Sequence, residues 1–179
     1  MRRFCKSNYK YQEFFCEENI WWLGKSLHEE GFALERQHVL IFSNAKQTTP
    51  LFCQGENLLV WDYHVVLYYE DLGIFDFNTL LPFPCEAERY FACTFPQLLP
   101  EDYRVYVRKV AMEEYHEHFC SDRSHMLDKD GTPVQPFPSW AAICHKRENV
   151  VLLKDYIDFS QNCSSIIATN EFVTRFVVD

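Results

Sequence analysis

Leu58-Leu59-Val60-Trp61-Asp62-Tyr63-His64-Val65-Val66-Leu67-Tyr68-Tyr69, then Glu70-Asp71-Leu72-Gly73, then Ile74-Phe75-Asp76-Phe77, is the stretch on which the fold turns. The first run is rich in Val, Tyr and Trp, which suit a pleated, half-buried surface, so Leu58 to Tyr69 reads as a strand. Glu70 to Gly73 is a turn signal and Ile74 to Phe77 a return strand, which makes a hairpin. Pro82-Phe83-Pro84 ends it, because proline cannot serve a central ladder. Side chains alternate along a strand, so His64 shares a face with Asp62 and Val66. His64 and Asp76 have an even sum and therefore share a face only if the loop between the strands is odd in length. A loop of about three or five residues around Glu70 to Gly73 meets that condition. The two side chains are then opposite or diagonal neighbours, within reach of a carboxylate–imidazole hydrogen bond.

Upstream, residues 16 to 28 read as a helix. Cys16, Ile20, Leu23 and Leu27 form one apolar stripe at helical spacing. Glu17 and Glu18 stand in the first turn, where carboxylates suit the positive end of the helix dipole, and Gly31 is a stop. Cys16 thus sits at the helix N-terminus on its inward face. Unsatisfied N–H groups there favour a thiolate, while the two glutamates oppose one, so Cys16 needs an imidazolium partner. Cys16, His64 and Asp76 have the residue types of a nucleophile, a base and an orienting carboxylate. Each also has a plain structural reading: a buried core thiol, a satisfied strand histidine, a turn or cap aspartate.

Elsewhere, Val39 to Phe42 is a short buried strand and Tyr103 to Arg108 another. Residues 111 to 119 are open between helix and strand. Thr132 to Pro138 is a proline-bearing loop, and Leu152 to Phe159 and Asn170 to Phe176 read as short helices. Residues 1–15 form a lead-in segment. No repeat, low-complexity tract or linker divides the chain, so 1–179 is expected to be one domain of the α/β (α+β) class.

Hydrophobic residues make up 47% and aromatics 17% of the 179, which excludes disorder. The net charge of −9 argues against nucleic acid, since Arg2-Arg3 and Lys146-Arg147 are too short to form a basic stripe. No apolar run spans a bilayer and no signal peptide opens the chain, so a cytosolic protein is expected. The eight cysteines (5, 16, 53, 85, 93, 120, 144, 163) then read as free thiols. A rival use of these residue types is zinc. His116, His118 and Cys120 share a face if that stretch is a strand, and His125 and Cys144-His145 would add ligands. No CxxC pair accompanies them, so neither metal nor cofactor is expected. Ser121-Asp122-Arg123-Ser124-His125-Met126 reads either as a capped turn with an Asp–Arg pair or as a substrate-contact segment.

Four blocks in order carry a more specific signal: Cys16-Glu17-Glu18-Asn19-Ile20-Trp21; Trp61 to Leu67; Asp76-Phe77-Asn78-Thr79-Leu80-Leu81-Pro82-Phe83-Pro84-Cys85; and Ser121 to Met126. Together they resemble the protein N-terminal glutamine amidohydrolase family, and Asn170 to Phe176 is similar to its C-terminal block. The resemblance runs from about Cys16 to Phe176. It implies a Cys16–His64–Asp76 triad and a three-layer α-β-α fold with a largely antiparallel sheet, related to the papain and transglutaminase type of thiol enzyme. It also implies a metal-free monomer of cytosol and nucleus that deamidates N-terminal glutamine for the N-degron pathway. Asn78 stands where many relatives carry an acidic residue, and Phe14-Phe15 precede the cysteine. For the substrate's α-ammonium, Glu17, Glu18, Asp62 and Asp122 are candidates, and the Trp61 indole is a candidate oxyanion donor. The rivals are a thiol peptidase or transglutaminase-like acyltransferase, and a non-catalytic zinc or interaction module.

Overall fold

The computed structural model describes residues 3–95, 99–144, 149–160 and 165–177. Arg2, His145, Lys146, Arg147 and Cys163 lie outside the described residues. The elements are α1 (Cys16–Glu29), β1 (Gln37–Ser43), β2 (Thr49–Leu51), β3 (Leu59–Trp61), β4 (His64–Tyr69), β5 (Gly73–Phe75) and α2 (Ala87–Thr94). They continue as β6 (Tyr106–Ala111), α3 (Met112–His118), β7 (Phe119–Cys120), β8 (Val151–Leu152), α4 (Leu153–Tyr156), β9 (Ile166–Ala168) and α5 (Thr169–Phe176).

Five strands form one sheet in the order β5-β4-β1-β6-β9, and every neighbouring pair is antiparallel. Alternation sorts its side chains. Val39, Ile41, Val65 and Leu67 pack against Ile20, Leu23 and Leu27 of α1 and Met112 and Tyr115 of α3. Leu40, Phe42, Val66 and Tyr68 pack against Tyr90 and Phe91 of α2 and Phe172 of α5. The sheet is therefore covered by helices on both faces, in three layers. Each such fully buried side chain contributes roughly 2 kcal/mol of burial, which is why these strands read as continuous apolar runs.

Local signals place α1 and the hairpin. The helix ends with Gly31 at φ +94°, where Phe32 N–H reaches the Leu27 carbonyl and Gly31 N–H the His28 carbonyl, a Schellman stop. Tyr69 pairs with Gly73, so the hairpin loop is Glu70-Asp71-Leu72, odd in length as the parity argument requires. Gly73 at φ +106° also lies against the Cys85 carbonyl, where a Cβ would collide. That close approach lets Ile74 exchange two hydrogen bonds with Cys85, closing the β5 edge.

Several expected boundaries differ. Leu58 to Tyr69 is not one strand: β3 pairs only with β2, and the chain breaks at Asp62-Tyr63 before β4 joins the main sheet. The hydroxyls of Ser43 and Thr49 both donate to the Asp62 carbonyl, at 2.7 and 3.2 Å, and hold that break. The return strand stops at Phe75, because Asp76 turns the chain by accepting Asn78 N–H at 2.9 Å. β6 spans 106–111 rather than 103–108, in register with β1, and 101–103 is a 3-10 turn. Residues 112–118 are helical, which turns Met112 and Tyr115 toward α1. The helix expected from Leu152 is only α4, since Val151-Leu152 pairs in parallel with Phe119-Cys120. The free-thiol expectation fails at one pair: Cys120 and Cys144 are disulfide-bonded, brought together where Ser121 N–H meets the Ile143 carbonyl. Cys5, Cys16, Cys53, Cys85 and Cys93 are free. Among the described residues no helix is long and apolar enough to cross a membrane.

Candidate active site

α1 begins at Cys16 itself, and its approach is fixed by Asn19. The Asn19 amide accepts Gln12 N–H and donates to the Gln12 carbonyl, both at 2.8 Å. Phe14 is held at φ +68°, a conformation bulky residues rarely adopt, in the turn that swings the chain into the helix. β5 stops short of pairing the first residues of β4, and Val65 N–H points instead to the Cys16 sulfur. The nucleophile candidate thus meets β4 at the strand's opening, next to His64.

His64, which opens β4, and Asp76, which lies just past the end of β5, come together, with His64 Nε2 3.1 Å from Asp76 Oδ2. The two groups meet closely but not along a straight hydrogen-bond line. With Nε2 turned to Asp76, Nδ1 is the nitrogen left for a thiol. Asp76 is 1% exposed. Burial by itself would raise its carboxyl, but the His64 charge and the hydrogen bonds from Gln54 and Asn78 outweigh it and bring it down to about 2. Gln54 Nε2 donates at 2.7 Å and the Tyr90 hydroxyl at 2.8 Å, both to Oδ2. Lys6, from the lead-in segment, donates to the Phe77 and Thr79 carbonyls and pins the turn.

Burial, then the neighbouring Glu17 carboxylate, pushes the Cys16 thiol up, and Val65 N–H only partly offsets them. The helix N-terminus alone therefore does not deliver a thiolate. Glu17 is fully buried, and burial pushes its carboxyl up to about 8 despite the Tyr63 hydroxyl donating to it at 3.0 Å.

The other acidic candidates separate. Glu18 is fully buried and clamped by Arg123 through two bonds of 2.8 Å, with the Trp140 indole N–H at 2.6 Å. Asp122 is exposed and caps its own turn through Ser124 N–H and Oγ. Of the capped-turn reading, the cap on Ser124 forms, but Arg123, at φ +59°, turns inward to Glu18 rather than pairing with Asp122. That clamp docks the 121–126 turn against α1 and brings His125 to 3.6 Å from Glu17. Asp62 and Trp61 line the cavity at Cys16.

This cavity, about 130 Å³, is lined by Cys16 and His64 together with Phe14, Trp61, Asp62 and Tyr63, and by Asn78, His125 and Met126. Among the described residues, no cysteine lines a larger cleft beside His38 and Lys109 or another between α2 and α5. Of the described members of the rival metal set, His116 hydrogen-bonds the Trp21 carbonyl from a helix, and Cys120 is bonded to Cys144. Among the described residues no group of three metal-ligating side chains converges. Gln54, Tyr90, Asn78 and Tyr63 were not singled out as site residues from the sequence, whereas His125 was named there as a candidate metal ligand and within the candidate substrate-contact segment 121–126.

The profile of the N-terminal glutamine amidase family matches residues 11–176. The chain belongs to that family. Protein N-terminal glutamine amidohydrolase of Bos taurus is 32% identical over 179 aligned residues, covering 93% of this chain and 86% of the bovine one. The Homo sapiens protein of the same name is 31% identical, over 93% of this chain and 87% of the human one. That of Drosophila melanogaster is 32% identical, over 95% and 89%. The N-terminal glutamine amidase family is thus one of amidohydrolases, enzymes acting on linear amides. The match begins at residue 11, so it takes in the turn that introduces Cys16 as well as the hairpin.

Proposed function

We propose that this chain converts the N-terminal glutamine of proteins and peptides to glutamate, with release of ammonia, through Cys16, His64 and Asp76. The observation that carries the reading is one cavity lined by a helix-initial cysteine and a histidine whose ring faces a buried, ionised aspartate. Family membership supports the substrate class.

His64 takes the Cys16 proton, and Asp76 stabilises the resulting imidazolium and fixes the ring. The thiolate attacks the side-chain carboxamide carbon of the substrate. The oxyanion is held by N–H groups at the start of α1, with the Trp61 indole in the same cavity. His64 then protonates the departing nitrogen, which leaves as ammonia from a thioester. Water, deprotonated by His64, cleaves the thioester to give the glutamate carboxylate and restore the thiol. The layered fold around this triad is read as related to the papain and transglutaminase type. The enzyme is read as a monomer of the cytosol and nucleus whose product enters arginylation and degradation by the N-degron pathway.

The test is mass spectrometry of a Gln-initiated peptide incubated with wild type or Cys16→Ala, beside Asn-initiated and internal-Gln controls. Conversion of amide to acid confined to the N-terminal Gln peptide, and absent in the variant, supports the reading. A cut or cross-linked peptide indicates a peptidase or acyltransferase, and an inert folded wild type sinks the assignment.

A further inference from the structure

Resting on the N-terminal glutamine reading, we propose that Asp62 is the group that receives the substrate's α-ammonium and so separates an N-terminal glutamine from an internal one.

Four carboxylates are candidates for the α-ammonium, and the structure disposes of three. Glu18 is enclosed by Arg123 and Trp140. Asp122 is engaged in its own turn and does not line the cavity. Glu17 is fully buried, bonded to Tyr63, and does not line the cavity. Asp62 does line it and is exposed to solvent.

Asp62 is also built into place. Two fully buried hydroxyls, Ser43 and Thr49, hold its carbonyl at 2.7 and 3.2 Å. Its own Oδ1 accepts Tyr63 N–H at 3.0 Å. Among the described residues no hydrogen bond or ion pair occupies Oδ2. The carboxylate is therefore preorganised with one oxygen available, beside the rings of Trp61 and Phe14, whose centroids lie 5.8 Å apart. An ammonium docked there meets a charge and aromatic faces together. A second consequence follows from proximity. The Asp62 charge is one of those that hold the Cys16 thiol up. A bound ammonium neutralises that charge, so recognition of a free N-terminus also favours the thiolate.

The experiment compares kcat/KM for a Gln-initiated peptide with that for the same peptide lacking only the α-amine, in wild type and Asp62→Asn. Asparagine keeps the oxygen that accepts Tyr63 N–H. The ratio is taken within one preparation, so it is insensitive to the fraction folded. Wild type is expected to favour the amine-bearing peptide in both kcat and KM. The substitution is expected to shrink that preference about 10- to 100-fold, as for loss of a charged hydrogen bond. An unchanged ratio, or a wild type indifferent to the amine, overturns the role of Asp62 while leaving deamidation standing. A wild type inert on both peptides overturns the proposal together with the deamidase reading.

Discussion

The Tyr90 hydroxyl, carried by α2 on the face of the sheet opposite α1, donates to Asp76 Oδ2 at 2.8 Å. The carboxylate proposed to orient His64 is thus held from the layer that does not carry the thiol. Tyr90→Phe removes one of several donors while Gln54 and Asn78 remain. The expected result is a fall in kcat of about fivefold and a stability loss near 1 kcal/mol, with KM little changed. Steady-state kinetics and urea unfolding check it; an unaltered kcat shows that the contact does not act on the triad.

Asp76→Asn is expected to lower kcat by about a thousandfold or more, because the amide cannot stabilise the His64 imidazolium. The same substitution reports on acid stability. The folded carboxyl lies at about 2, below its ordinary 3.8, so its contribution is present above 3.8 and lost as pH falls toward 2. Denaturation curves of the variant should be flatter over that window than those of wild type.

Glu17 titrates in the opposite sense. Burial lifts its carboxyl from 4.5 to about 8, so its contribution to stability is fully present below 4.5 and is lost as pH rises to about 8. Glu17→Gln should flatten the pH dependence across that range and gain on wild type toward its upper end. Parallel curves for the two proteins would show that Glu17 ionises normally.

Cys16 should depend on His64 for its reactivity, since burial opposes a thiolate. Alkylation by iodoacetamide at neutral pH, followed by peptide mapping, is expected to slow about tenfold or more at Cys16 in His64→Ala. An equal rate in the variant would mean that the helix N-terminus activates the thiol alone.

Arg123→Leu leaves the fully buried Glu18 carboxylate without its clamp. A loss of about 3–5 kcal/mol is expected from an uncompensated buried charge. Glu18→Gln in that background should recover part of it. Chemical unfolding of the single and double variants measures both, and a single variant as stable as wild type contradicts the clamp.

Much of this arrangement is legible in local pattern. The apolar stripe from Cys16 to Leu27 and the stop at Gly31 depend only on helical spacing and on a residue that tolerates positive φ, so the sequence determined where α1 starts and which face it buries. The hairpin and its odd loop were legible in the same way, but Asp76 lies just past the end of β5, and its own turn is what brings it to His64. Only the tertiary structure decided which groups satisfy the buried charges. Glu18 finds Arg123 across 105 residues of chain, and Asp76 finds Gln54 and Tyr90 from a loop and from a helix on the far layer. It also decided that the strand breaks at Asp62, because the hydroxyls that hold the break come from Ser43 and from Thr49 of β2. The physical reason is range. Periodicity and turn chemistry act between residues a few positions apart, whereas pairing a desolvated charge is settled by whatever packing brings within hydrogen-bond reach, and packing has no period in the sequence.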